Sequence, residues 1–244
     1  MKKTIKPESP VEYVVWTALV VLVVVGIYAF RNLIFNSNID EVVPGKVYRS
    51  AQMTPHKLRE TIRRLRLKTV INLRGGKDED STSSWYRDEK KVCDEEGVRL
   101  LNIRLSTKTA PPVSALRRLI EALCDADNEP VLIHCLAGAD RTGLGAAFAK
   151  IVHGGSVEEA EEEFSIWHAH AGIGAGYHMR FAFEYYRDWL EENGAAPGPE
   201  SLKKWRHDSY IPYRKWIDEK GLPGGPDSLE KWREETRRPN DGPG

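Results

Sequence analysis

The sequence predicts an α/β protein whose central, mostly parallel sheet of four to five strands is flanked by helices and preceded by an N-terminal transmembrane helix. Three observations lead there. Short runs rich in Val, Ile and Leu alternate along the chain with amphipathic, helix-period segments, the pattern of right-handed crossovers between parallel strands. The last such run, "PVLIHC" (130–135), leads through a glycine-containing turn into another helical segment. Ahead of the alternation stands "VEYVVWTALVVLVVVGIYAF" (11–30), an almost wholly apolar stretch.

That stretch has the length of a bilayer-spanning helix, about 30 Å. It has no polar face of the kind a core helix keeps, and "GIYAFRN" is a poor cleavage site, so a signal anchor is favoured over a cleaved signal peptide. Lys2, Lys3 and Lys6 precede it, and Tyr13, Trp16 and Tyr28 fall where interfaces would be. The lysines place the N-terminus in the cytoplasm and the rest of the chain outside it, whereas Arg31 argues the other way. The expected organisation is a flank over 1–10, an anchor over 11–31, a folded domain over 42–192 and a tail over 193–244.

Within the domain the elements follow in order. "KVYRS" (46–50) is a short strand. A helix follows over 54–67, with Thr54 as N-cap and Pro55 at its first position. "KTVINL" (68–73) is a strand, and 83–97 is a helix closed by Gly97. A strand over 98–105, a helix over 113–125, the strand 130–135 and a helix from Thr142 to His153 complete the alternation. Two more helices fit 156–169 and 177–194. In such sheets ligands bind beyond the carboxyl ends of the strands, where Cys135 falls.

Composition sets the outer bounds. The 244 residues carry 36 Lys+Arg against 36 Asp+Glu, so the chain is not a globally basic nucleic-acid binder, and no nucleic-acid partner is expected. Three scattered cysteines, Cys93, Cys124 and Cys135, make neither a disulfide scaffold nor a zinc site, and neither metal nor cofactor is expected. Oligomeric state is not legible. Cys93 and Cys124 fall on helix faces and read as ordinary buried thiols.

The informative turn is "HCLAGADRTG" (134–143). A loop between a central strand and a helix N-terminus points successive backbone N–H groups inward, here from Leu136, Ala137, Gly138 and Ala139, and forms an anion nest. Gly138 and Gly143 let the backbone curl without Cβ clashes. Arg141 offers a planar fork for two phosphate oxygens. The same positive field favours the thiolate of Cys135, so the loop can bind a phosphate and attack its phosphorus. Thr142 can donate a hydroxyl to the sulfur as it leaves. His134 braces the loop through its ring nitrogens.

These residues carry a resemblance. "HCLAGADRTG" is similar to the His-Cys-x5-Arg-Ser/Thr signature of the cysteine-dependent protein tyrosine and dual-specificity phosphatases, and "VYRSAQ" (47–52), "LKTVINLRG" (67–75) and "PVLIHC" resemble their compact bacterial members. The resemblance spans about 42–190, not the tail. It implies a phosphorylated substrate and turnover through a cysteinyl-phosphate. It also implies a general-acid aspartate on the loop after the strand 98–105, but that loop reads "STKTAPP" (106–112), with no carboxylate. Asp140, which matches an aspartate of the myotubularin-like lipid phosphatases, is the substitute; the plain alternative is that it caps the next helix. Asp78, Glu79 and Asp80 are weaker candidates on a solvated loop.

Arg49 and Arg74 fall at or just past strand ends and would border the phosphate pocket; each is equally readable as a surface arginine. The basic helix 54–67 reads as a solvated face more readily than a headgroup-binding one. His168, His170 and His178 surround a glycine-rich loop without ligand spacing. In the tail "GPESLKKWR" (198–206) recurs as "GPDSLEKWR" (225–233), two short Leu/Trp helices that can dock on the domain, a partner or the bilayer, ahead of a disordered end. The leading function is a membrane-anchored phosphomonoesterase acting on a phosphoprotein or an anionic lipid or inositol phosphate. The alternative is a phosphate-binding module that has lost turnover. A sulfur-transfer or arsenate-reducing protein is disfavoured by the signature's flanking residues.

Overall fold

The computed structural model describes residues 9–34, 37–75, 83–165, 168 and 176–236, with side chains from 27 to 34 outside that account. Asp78, Glu79, Asp80 and His170 therefore lie outside the described residues, as does the tail end from 237 on. One sheet organises the domain, in the order β1-β2-β5-β3-β4. Its strands are β1 (Asp40–Val43), β2 (Val47–Ser50), β3 (Thr69–Asn72), β4 (Arg99–Asn102) and β5 (Val131–His134). Among the described residues only β1 pairs antiparallel, with β2; the other pairings are parallel. The fold is thus the expected mixed α/β arrangement, with β1 as an addition. Asp-Glu-Val-Val has no alternation to mark it as a strand, and pairing with β2 alone makes it one.

Helices α2 (Pro55–Leu65), α3 (Ser84–Glu96), α4 (Val113–Cys124) and α5 (Asp140–Val152) fall where the periodicity puts them. Thr54 caps α2 by accepting the Lys57 N–H, and Gly97 closes α3 in the left-handed region. α5 begins two residues earlier than expected, at Asp140. The expected helix 156–169 is short: α6 (Val157–Glu161), started by a Ser156–Glu159 capping box, gives way to a 3₁₀ turn over Glu162–Phe164. α7 (Tyr177–Asn193) closes on Gly194. The main core lies between the sheet and α4, α5 and α7, around Ile71, Ile133, Leu119, Phe148 and Phe183. A smaller cluster under α2 and α3 holds Leu58, Ile62, Val70, Cys93 and Leu132.

α1 (Pro10–Ile34) exposes its apolar side chains, from Val11 to Val24. Among the described residues no helix is long and apolar enough to cross a membrane, so the expected span over 11–31 is not supported. Glu12 stands in the first turn of α1.

The tail packs into the main core. α8 (Pro199–Trp205), a π-helical turn over Arg206–Tyr210, α9 (Ile211–Lys220) and α10 (Pro226–Thr236) bury Leu202, Trp205, Tyr210, Tyr213, Ile217 and Leu229. The repeat is longer than its nine-residue core: "YRDWLEENGAAPGPESLKKWR" (186–206) recurs as "YRKWIDEKGLPGGPDSLEKWR" (213–233). Each copy is a helix end, a left-handed glycine (Gly194, Gly221) and a second helix. Each also repeats one hydrogen-bond set. Tyr186 and Tyr213 lie 2.7 Å through Oη from Ser201 and Ser228, and accept the N–H of Gly198 and Gly225. α9, which carries Pro212 in its first turn, lies in the proline- and glycine-containing stretch between the two nine-residue copies.

Candidate active site

The parallel register sets polar residues in one row at the carboxyl edge of the sheet. Ser50 and Asn72 flank His134, and Asn102 lies beyond Asn72. Cys135 follows on the central strand, and the chain curls through Leu136–Ala139 into α5. Leu136 and Ala137 form the exposed rim, while Gly138 and Ala139 are buried. Gly138 has φ +71°, and a Cβ there would lie 2.6 Å from the Ala51 nitrogen, so only glycine fits.

Peptide orientation in the loop is enforced from behind. The buried Asn38 donates from Nδ2 to the carbonyls of Ala137 (3.3 Å), Gly138 (3.1 Å) and His168 (3.1 Å). In a planar trans peptide C=O and N–H point opposite ways, so holding the Ala137 carbonyl outward turns the Gly138 N–H toward the sulfur. Arg49 completes the brace: Nη2 donates to the Gly138 carbonyl at 2.7 Å, and Nη1 donates to the carbonyl (2.9 Å) and carboxylate of Glu163. Arg49 is fully buried, which corrects its expected place at the border of the pocket. A strand-end arginine reads as exposed until its partner is known, and the partner is a carboxylate 114 residues away.

The pocket side carries the other arginines. Arg141, on the first turn of α5, is half-buried and reaches the Arg74 carbonyl from Nη1 at 3.5 Å. The Arg74 guanidinium lies 3.8 Å from the centre of the Trp85 ring, a cation–π stack that fixes it near the loop. Burial and then repulsion by Arg141 hold Arg74 below its ordinary pKa, as expected of two cations sharing one mouth. Trp85 was not foreseen.

Burial alone would raise the Cys135 thiol. The Arg141 charge, the Thr142 hydroxyl and the N–H groups of Thr142 and Gly138 outweigh it, and the thiol lies below its ordinary value. Thr142 is fully buried. The other described cysteines go the opposite way: Cys93 is pushed up to about 12 and Cys124 is raised, both chiefly by burial.

His134 is buried with Nε2 2.7 Å from Oε1 of Glu89 and Nδ1 3.3 Å from the Cys135 carbonyl oxygen. Burial disfavours its charge, but the Glu89 carboxylate prevails and the imidazole is raised above its ordinary pKa. Glu89 was missed because it stands inside "RDEKKVCDEE", a charge run that reads as solvated. Its only sequence signal is the three-residue spacing from Tyr86 and Val92 on the buried face of α3.

Asp140 opens α5, half-buried, with its carboxylate against Gly176 so closely that a Cβ on Gly176 would overlap it. The 106–112 loop is tied to the tail: Ala110 N–H donates to the Pro223 carbonyl (2.8 Å), and Tyr210 Oη donates to the Pro111 carbonyl (2.6 Å). Among the described residues no group of three or more His, Cys, Asp or Glu side chains is placed to hold a metal ion.

The arrangement is a buried thiol held below its ordinary value by the Gly138 and Thr142 N–H groups and the Arg141 charge, which suits it to a tetrahedral oxyanion and to nucleophilic attack at its centre. Several solved structures are similar. The core catalytic domain of the PP-IP phosphatase SIW14 from S. cerevisiae, in complex with citrate, is 21% identical, with 65% of this chain and 93% of that one covered at a TM-score of 0.49. A mutant form of Tk-PTP is 21% identical, with 63% and 97% covered at 0.49. TpbA from P. aeruginosa, in complex with pTyr, is 26% identical, with 71% and 93% covered at 0.46. No curated protein matches the chain. The family model described as "Tyrosine phosphatase family" matches residues 24–171, more than half of the sequence and the whole of the signature loop. The chain is a phosphatase and belongs to the tyrosine phosphatase family.

Proposed function

We propose that the protein hydrolyses phosphomonoesters through a cysteinyl-phosphate. The observation that carries this reading is the Cys135 thiol, held low at the centre of the loop although it is buried. The phosphoryl oxygens take the loop N–H groups of Leu136–Ala139 and the Arg141 fork. The Cys135 sulfur attacks phosphorus, the P–O ester bond breaks, and Asp140 gives its proton to the departing oxygen. Water then attacks phosphorus and passes a proton to the Asp140 carboxylate. The S–P bond breaks, and the thiolate leaves toward the Thr142 hydroxyl. His134 is a brace, Arg74 adds positive charge at the mouth, and Arg49 holds the loop from behind.

The substrate is a phosphoprotein (Tyr, Ser or Thr) or an anionic lipid or inositol phosphate. The cationic mouth of Arg74 and Arg141 supports an anionic group, and TpbA is described with pTyr and SIW14 as a PP-IP phosphatase. Residues 42–192 carry the catalysis, and the described part of the tail, 193–236, braces them. No described helix is long and apolar enough to cross a membrane, so an anchor would rest on the apolar run 11–30 of the sequence, and the lysines before it favour a catalytic domain on the non-cytoplasmic side. Alkaline-carbonate extraction of membranes and protease protection of intact cells test that placement, and release of the protein by carbonate would defeat it.

The test of activity is turnover of p-nitrophenyl phosphate by the full chain, abolished by Cys135→Ser. The absence of a carboxylate from 106–112 favours one second reading, a module that binds phosphate without turning it over. Vanadate or phosphate binding without hydrolysis of any ester would select it.

A further inference from the structure

Glu89 is 3% exposed on a helix whose neighbouring Asp88 and Lys90 face solvent. A carboxylate is buried at high cost unless donors surround it. Two donors do, Asn72 Nδ2 at 2.6 Å and Gln52 Nε2 at 3.1 Å, and His134 Nε2 stands at ion-pair distance, 2.7 Å from Oε1. The imidazole between Glu89 and Cys135 has both nitrogens facing oxygen acceptors, Oε1 of Glu89 and the Cys135 carbonyl. A neutral imidazole has one N–H and can satisfy only one of them; the imidazolium satisfies both. Asn72 extends the arrangement, because its Oδ1 accepts the N–H groups of Arg74 (2.9 Å) and Gly75 (3.0 Å) at the turn that meets Arg141.

We propose that Glu89 is a positioning residue that keeps His134 as an imidazolium directly behind Cys135, so that the nucleophile rests as a thiolate. The proposal rests on Cys135 being the nucleophile of the reaction above. The charges that face the pair come from every side. Glu89 approaches from α3 and Arg49 from β2. Arg74 comes from the turn after β3, and Arg141 from α5, with Cys135 itself between them. Arg49 is committed to Glu163 and Arg141 to the substrate side, while His134, next to Cys135 in the chain, faces it from the end of β5. Removing the Glu89 charge leaves the fully buried imidazole without its counterion, and it gives up its proton. The sulfur then loses an adjacent positive charge.

The readout is the pH dependence of Cys135 alkylation by iodoacetate in the full-length protein, with kcat and KM followed across the same range. Glu89→Gln should move the alkylation midpoint up by about one pH unit, the lower end of what a charge within reach exerts. kcat should fall about tenfold at about pH 6 and recover as pH rises, with KM little changed, whereas a merely loosened fold would not recover with pH. A folded Glu89→Gln protein with its midpoint unmoved or lowered overturns the proposal. The wild-type protein gives a second, independent test should that variant not fold. ¹⁵N signals of the His134 ring at neutral pH should show both nitrogens protonated, and a neutral ring overturns it. Alkylation needs no turnover. A shifted midpoint in a protein that hydrolyses no ester would sink the phosphatase mechanism and leave this role standing.

Discussion

Cys93 and Cys135 are equally buried, at 0% and 2% exposure, yet their thiols are driven in opposite directions. Cys93 lies on α3 among Leu58, Ile62, Val92 and Leu132, where the charge of Lys90 lowers it too little to offset burial, which pushes it up to about 12. The carboxylates Glu89 and Asp94 push it the same way. Cys135 carries a burial penalty too, but it stands at a strand end where a helix begins, and Arg141, Thr142 and the loop N–H groups reverse the sign. Depth in the protein therefore does not decide whether a thiol is inert. What decides it is whether the surrounding dipoles are aimed at the sulfur and cannot turn away. Asn38 and Arg49 do that aiming here, and Cys93 has no counterpart to them.

The largest expected effect separates the charge that holds the thiolate from the proton that frees the leaving group. Asp140→Asn should cut hydrolysis of an alkyl phosphate roughly a hundred- to ten-thousand-fold, because an alkoxide leaves poorly without a proton. It should largely spare p-nitrophenyl phosphate and leave Cys135 alkylation in place. Equal slowing of both substrates in steady-state assays would make Asp140 a brace for Arg141 or for Gly176.

Arg141→Lys comes next. It keeps the charge that lowers the Cys135 thiol and loses the paired hydrogen bonds to two phosphoryl oxygens. Turnover should drop on the order of a hundred- to a thousand-fold, while the thiol stays reactive toward iodoacetate. Near-normal kcat/KM in that variant would assign Arg141 to structure alone.

Alkylation itself reads the comparison most directly. Near neutral pH iodoacetate should label Cys135 ahead of Cys93 and Cys124, and vanadate should slow it. Because the Cys135 thiol is depressed, its thiolate persists to lower pH than in an ordinary cysteine. Labelling should then fall about tenfold per pH unit once pH drops below the thiol's own value. Equal labelling of all three thiols, read by peptide mass spectrometry, would contradict the opposite shifts.

The nucleophile and its loop were legible because both depend on local order. The strand, the glycine that must take φ +71°, the arginine six residues after the cysteine and the helix start are all fixed by short-range sterics and dipoles. So was the strand–helix alternation, which needs only hydrophobic period. The bracing was not. Asn38, Glu89 and Glu163 act across 99, 45 and 114 residues of chain, and each is a polar residue in a polar stretch until the sheet order is known. Arg49 was read as a pocket residue for the same reason. The tail's nine-residue echo was visible, but its full length emerged only when Tyr186 and Tyr213 proved to make matching contacts with Gly198 and Gly225.

The smallest effect tests the inert side of the comparison. Cys93→Ala removes one sulfur from the cluster under α2 and α3, where Met53, Val70 and Val98 can close in. The loss resembles a single-methylene deletion, so stability should fall by about 1 kcal/mol, seen as a lower urea midpoint at constant slope. Cys93→Ser is nearly the same size but puts a hydroxyl among aliphatic side chains, and it should cost about 1–3 kcal/mol unless it finds an acceptor. In both variants kcat/KM should stay within a factor of two, since Cys93 supports nothing at the loop. A large drop in turnover with the fold intact would show that the α3 face reaches the site through Glu89, one helical turn away. The two thiols would then no longer be independent, and the contrast between them would have to be redrawn as one network.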